Sequence, residues 1–301
     1  MEKNMVEVPE NYSMNPEQMA QMQPNPLSQF MRQASIYIKL PSGGLYYPPG
    51  TIQLPENKEI PVLPMSTRDE ITVNTPDALM NGQGVVDMIH SCCPSIKNAW
   101  AVPIVDLDTI LIGIRIASYG ENMEYTSTCP KCENADNYEI DLRQFMDMPV
   151  NMSLYAEPFE YKGMKVFVQP IDYNTLNKQN LETFEQQRLI TMVNDADLNS
   201  EEKQRRFAEI FRTMTGYTLA NITGSIEKIV TPDGVVVNNE SHITDFVRNT
   251  ERQFYESLRK YMEQITTAIP EKTVSTTCAE CKEQYSTPFT FDQSNFFAFA
   301  S

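Results

Sequence analysis

Apolar positions along the chain change period several times, and each change marks an element. Ser35-Ile-Tyr-Ile-Lys-Leu40 has the β-branched and aromatic content of a strand. Pro41-Ser-Gly-Gly44 and Leu45-Tyr-Tyr-Pro-Pro-Gly50 turn the chain, and short extended segments follow at 52–54 and 59–63. Thr75, Pro76 and Asp77 form a helix-start signal, predicting a short helix over 76–81. Gly82 and Gly84 interrupt it, and a helix resumes over 85–93 until Pro94. From Asp106, read as an N-cap, apolar residues run almost all round to Tyr119, and Gly120 supplies the stop. That pattern predicts a central core helix, in which Asp108 and Arg115 need partners or an edge. Strands are expected over 123–127 and up to Leu142, and a hairpin over 159–168. The period turns helical from Tyr173, loosely through Leu176, Leu181, Phe184, Leu189, Ile190 and Met192. Another helix starts at Ser200, with Phe207, Ile210, Phe211 and Met214 on one face. The strand-like run 225–230, the Pro232-Asp-Gly234 turn and 235–237 read as a hairpin. Ser241 is then read as the cap of one long helix to about Ile269, with a core-facing stripe from Ile243 to Ile265.

Two Cys-x-x-Cys hooks interrupt this pattern at matching places. Cys129-Pro-Lys-Cys132 and Cys278-Ala-Glu-Cys281 each follow a Thr/Ser-rich extended run and precede another. Strand, Cys-x-x-Cys turn, strand is a knuckle, and two knuckles build a zinc ribbon. Four thiolates close a tetrahedral Zn²⁺ site with no open position for chemistry, so the expected metal ligands are Cys129, Cys132, Cys278 and Cys281, holding one structural Zn²⁺. The gap between the hooks far exceeds the usual zinc motif, so the ion would clasp the middle of the chain to its end. A redox role of thioredoxin type is disfavoured, because neither pair opens a helix after a βαβ-type strand. The fold class expected is α+β: a β-rich N-terminal lead-in and helical core, with a four-cysteine zinc ribbon split by a mainly helical insertion. Four segments follow: an arm over 1–34, an α+β core with the first knuckle over 35–170, a helical insertion with a β-hairpin over 171–270, and the second knuckle with an aromatic tail over 271–301.

Composition narrows the function. The net charge is -16, and such a surface repels phosphate backbones, so nucleic acid is not an expected partner. The densest basic run, Lys203-Gln-Arg-Arg206, follows Glu201-Glu202 and reads as a salt-bridged helix face. Residues 1–34, rich in Met, Gln, Asn and Pro, have the composition of a disordered arm or of a tether that orders on a partner. The N-terminus has no signal-peptide pattern, and the most apolar stretch, 104–117, is too short and too charged to span a membrane, so a soluble cytoplasmic product is expected. His90, Cys92 and Cys93 are close in sequence, but adjacent helical residues point about 100° apart, so buried packing cysteines are expected rather than a second metal site. The terminal run Asn295-Phe-Phe-Ala-Phe-Ala-Ser301 must pack on this protein or on another.

Catalytic patterns are missing. The two histidines, His90 and His242, stand apart, and there is no Gly-x-Ser-x-Gly elbow. Asp106 and Asp108 are explained by helix-dipole placement. Asp195, Asp197 and Asn199 lack the glycine of a calcium loop. Gly43-Gly44 has no Gly-Lys-Ser/Thr and no helix to follow it. The expectation is therefore a protein that is not an enzyme.

Five segments in order resemble one family: Ile38-Lys-Leu-Pro-Ser-Gly-Gly-Leu-Tyr46, Met65-Ser-Thr-Arg-Asp-Glu70, Thr75-Pro-Asp-Ala-Leu-Met-Asn-Gly82, Asp106-Leu-Asp-Thr-Ile-Leu-Ile-Gly-Ile-Arg115 with Ser118-Tyr-Gly120, and Cys129-Pro-Lys-Cys132. Together they resemble the T4-like bacteriophage baseplate hub and hub-assembly proteins, well over 36–142 and by element order beyond. The resemblance implies a non-enzymatic structural or assembly role in the central baseplate of a contractile tail, with other baseplate, hub or tail proteins as partners. It implies assembly in the host cytoplasm and residence in the tail, and it carries over no catalytic residues. The alternative is a zinc-ribbon regulatory protein contacting nucleic acid or polymerase.

Overall fold

The computed structural model describes residues 25–73, 82–146, 148, 150–195 and 200–289. The chain divides into two units, Met1–Gln33 and Ala34–Ser301. In the first, the described portion holds one turn of 3₁₀ helix, Ser28–Phe30, whose approach is tied by the Leu27 N–H donating to Asn25 Oδ1. The helix expected over 76–81, most of the N-terminal arm and the terminal phenylalanines lie outside the described residues.

The second unit mixes helices and strands around two apolar cores. Strands β1 (Ile36–Lys39) and β2 (Glu59–Val62) pair antiparallel, burying Ile38, Ile60 and Val62 on one side. Helices α1 (Thr67–Val73) and α2 (Gln83–Cys92) follow. Next comes α3 (Ile104–Tyr119), the centre of the first core, in which Ile110, Leu111, Ile112 and Ile114 are all buried. Gly113 lets β1 lie close: a Cβ there would stand 3.1 Å from Ile38 Cγ2. Asp106 is not the cap of this helix. The chain enters through Pro103, bridged to Asp172, and the Ile104 N–H donates to Ile171 O, so the helix begins earlier and Asp106 falls in its first turn. The 52–54 segment is reduced to an isolated bridge between Ile52 and Ile96.

Strands β3 (Asn122–Thr128) and β4 (Ala135–Asp141) form the first knuckle hairpin. After a short helix α4 (Ser153–Ala156), β5 (Phe159–Tyr161) and β6 (Met164–Val168) form the expected hairpin. The long helices α5 (Tyr173–Asp195) and α6 (Ser200–Gly224) pack on each other, and Glu202 bridges Arg205 and Arg206 as the charge pattern implies. Strands β7 (Ile226–Val230) and β8 (Val236–Val237) then extend β5–β6 into a four-stranded antiparallel sheet. That sheet draws strands from both sides of residue 170, so the helical segment shares a β-framework with what precedes it.

One long helix was expected over 241–269; the chain forms two, α7 (Glu240–Asn249) and α8 (Arg252–Ala268). Asn239, not Ser241, caps the first by accepting from the His242 N–H, and extended backbone at Thr250 and Glu251 separates the two. The break lets Ile243, Val247, Phe254 and Leu258 all enter the second core, against Val166 and Ile229 of the sheet. The second knuckle hairpin, β9 (Thr273–Thr277) and β10 (Gln284–Pro288), returns to the first core through Val274 and Phe289.

Candidate metal centre

The two hooks adopt the same backbone conformation. The Cys129 N–H donates to Asn134 O, and Glu133 N–H to Cys129 O, each at 2.9 Å. In the second hook Cys278 N–H donates to Glu283 O at 2.9 Å, and Lys282 N–H to Cys278 O at 3.1 Å. Glu133 and Lys282, each just after its second cysteine, share a left-handed φ of 60°. That conformation favours glycine, so both knuckles hold a non-glycine residue in a costly bend.

The fold brings the hooks together. Cys129 Sγ lies 3.7 Å from Cys281 Sγ, and Cys132 Sγ lies 3.5 Å from Cys278 Sγ. All four sulfurs lie within 4.8 Å of one another. A tetrahedral ion with metal–sulfur bonds of about 2.3 Å needs sulfur–sulfur edges of about 3.8 Å, so the residues present fit such an ion. All four cysteines are free thiols. Cys129 and Cys278 are buried, Cys281 is half-buried and Cys132 is exposed.

The thiols also interact electrostatically. Burial raises Cys129, but N–H groups of Cys132 and Lys131 and the Cys281 and Cys132 side chains favour its thiolate and bring it down to about 7. Cys132 is lowered by the Asn134 N–H, yet the Cys281 thiol, desolvation, and the Cys278 and Cys129 thiols outweigh that and push it up to about 12. Like charges this close cannot all form on their own, so one sulfur ionises while a neighbour keeps its proton. A cation among them removes that conflict and lets all four ionise.

Contacts between the hairpins hold this geometry. Ser127 Oγ and Thr287 Oγ1 share a hydrogen bond of 2.8 Å, and Tyr125 Oη donates to Pro288 O at 3.3 Å. Lys131 Nζ lies 2.6 Å from Glu283 Oε2, joining the tips of the two knuckles. Phe289 stacks on Phe145 with ring centroids 4.7 Å apart, and Lys272 Nζ reaches Asp108 Oδ2 at 2.6 Å. The sequence pattern points to the cysteines but not to these partners; the only hint was the alternation of Thr, Ser and Tyr in both pairs of strands.

The remaining candidates lie elsewhere. Cys92 and Cys93 are buried in the first core, where burial pushes the Cys93 thiol up, and exposed His90 accepts from the Ala99 N–H through Nε2 at 2.9 Å. They line no site with the hooks, and the four hook cysteines are the cluster suited to a metal among the described residues. Asp106 accepts from Ser42 N at 2.7 Å and lies beside the Tyr47 hydroxyl, which makes no well-formed hydrogen bond. Asp197, Asn199 and the Asp195 side chain lie outside the description.

A family model described as T4 bacteriophage base plate protein matches residues 48–298, most of the chain and both hooks. No curated protein and no solved structure matches the chain.

Proposed function

The chain belongs to the T4 bacteriophage base plate protein family, and we propose that it is a non-enzymatic structural or assembly component of the central baseplate, or hub, of a contractile tail. The observation that carries this reading is the match over 48–298, which takes in most of both cores and both halves of the metal centre. Its partners are other baseplate, hub or tail proteins, met in the host cytoplasm and retained in the virion tail. Zinc is the proposed ion, since four thiolates and no oxygen or imidazole donor make the site. When bound, zinc supplies a closed, redox-inert cross-link and no free coordination position. The chain's own part is to present the sulfurs: the N–H groups of the knuckle turns stabilise thiolate, and the Ser127–Thr287 and Lys131–Glu283 contacts hold the two hooks in register.

Among the described residues no helix is long and apolar enough to cross a membrane. Two further observations support a binding role. The charge of -16 disfavours nucleic acid, against the regulatory alternative. The aromatic and apolar side chains of Tyr37, Leu45, Ile71 and Phe184 are more than half exposed, as contact surfaces require.

The test is a phage carrying a premature stop codon in this gene. Infected cells are expected to lack complete baseplates by electron microscopy, and mass spectrometry of wild-type virions is expected to find the chain. Normal baseplates in the mutant would contradict the proposal.

A further inference from the structure

The loop between β1 and β2 is tied from inside the fold. Ser42 donates its N–H to Asp106 Oδ1 at 2.7 Å and its hydroxyl to Asp106 Oδ2 at 2.5 Å. Its Oγ in turn accepts from the Gly44 N–H at 3.0 Å. At Tyr46 the backbone is left-handed, with φ 68°, a costly conformation for a residue with a bulky side chain. Tyr46 packs against the second core and its neighbour Tyr47 against the first, so the loop is anchored on both.

Between this loop and β7 lies a hollow of about 400 Å³, lined by Leu45, Tyr46, Tyr47, Pro48, Gln169 and Glu227. Leu45 is 57 % exposed and Pro48 is exposed, so the hollow opens to solvent, while Tyr46 and Glu227 are half-buried. Glu227 is the one charged residue of the lining. Lys228 Nζ donates to its Oε1 at 2.9 Å, which leaves Oε2 for a second donor. Burial, and after it the Glu227 charge, raises the Tyr46 phenol, so the carboxylate lies within electrostatic reach of the tyrosine.

An aromatic side chain, a carboxylate and an amide around an open hollow suit a cation. Arginine fits best, because its planar guanidinium stacks on an aromatic ring while its fork donates to oxygen acceptors. The net charge of -16 draws basic partners to this chain. We propose that the hollow is a binding site for an arginine side chain of a partner protein. The guanidinium lies against Tyr46 and pairs with Glu227, and Leu45 and Pro48 flank its aliphatic stem. The Asp106 tie and the left-handed Tyr46 fix the loop before the partner arrives, which lowers the cost of binding. The site shares no residue with the metal centre, and its test does not depend on where the chain sits in the tail.

The full chain, labelled with nitrogen-15, is titrated at low salt with acetyl-Gly-Arg-Gly-amide. Saturable amide shifts at 45–47 and 227 are expected, and acetyl-Gly-Gln-Gly-amide should leave these signals in place. Glu227→Gln keeps the side-chain shape and removes the charge. The arginine peptide should bind this variant about fivefold or more weakly, with the rest of the spectrum unchanged. The lysine counterpart should bind the unaltered chain about threefold or more weakly, since it cannot stack in the same way. Shifts that fail to saturate, or that the glutamine peptide reproduces, would overturn the site. Equal affinity for the unaltered and Glu227→Gln chains would overturn the pairing, and equal affinity for lysine and arginine would overturn the choice of arginine.

Discussion

Asp106 and Arg115 place charge inside a helix that apolar residues surround on nearly every side, and they do so on opposite terms. Asp106 has no accessible surface, and burial holds its carboxyl above the usual range despite the hydrogen bonds from Ser42. A carboxyl raised in the folded state favours the protonated form. Its stabilising contribution is therefore full below the unfolded value, near 3.9, and is lost as pH rises through the folded one. Asp106→Asn keeps an acceptor for the Ser42 N–H and carries no charge. The urea midpoint of this variant is expected to match or exceed that of the unaltered chain at pH 8, with the gap closing toward pH 4. Asp106→Ala orphans the Ser42 N–H and should lose about 1–3 kcal/mol at either pH. Arg115 is 4 % exposed, with Nε and Nη1 unpaired and the guanidinium 4.5 Å from the Tyr119 ring centroid. Arg115→Met keeps the bulk and removes the unpaired donors, so a gain of about 1 kcal/mol is expected after the lost ring contact. A loss of midpoint would show that the ring contact outweighs the burial. The chain's pattern flagged Asp108 and Arg115 as needing partners or an edge and read Asp106 as a cap; it did not show that Lys272 reaches Asp108 or that Ser42 binds Asp106, because both partners come from remote segments.

Elements formed where period and composition agreed, and boundaries moved where a long-range contact intervened. The all-round apolar run of α3 was legible because no contact can make such a helix stable except burial. Its start was not legible, because the bridge from Pro103 to Asp172 draws the chain into helix two residues before Asp106. The split of α7 from α8 was hidden for a similar reason: both halves carry helical stripes, and only the second core requires them to turn at Thr250. The close approach at Gly113 has a direct test. Gly113→Leu drives a side chain into Ile38 and Val62, and the overpacking should cost about 1–3 kcal/mol by urea denaturation. A change below about 0.5 kcal/mol would show that β1 yields. In the ribbon, removing the metal with a strong chelator should quicken amide exchange in β3, β4, β9 and β10. The β6–β7 pairing and α8 should keep their protection, since their core contains no residue of either hook. Uniform loss of protection would mean that the clasp holds both cores.

The whole molecule is a chain whose middle and end meet at four sulfurs, between arms that pack on one core. The cysteine spacing was enough to suggest this closure, because thiolates in matched pairs suit few purposes other than a metal. The sequence could not show that Lys131 and Glu283 join the tips, or that the knuckles repeat one backbone bend, since neither leaves a recurrent motif. The acidic surface makes a further prediction at this scale. At about 0.15 M salt the purified chain should show no retention on DNA, and salt-sensitive binding would favour the regulatory alternative. Family membership places the chain among baseplate proteins, and in the proposed reading a metal clasp would give its contact surfaces a fixed frame. X-ray absorption at the zinc edge, with metal quantified per purified full-length chain, tests that clasp most directly. One zinc per chain, bound by four sulfurs at about 2.3 Å, is the expected result. A well-folded chain with no bound metal, whose four hook thiols all react with an alkylating reagent, would contradict it.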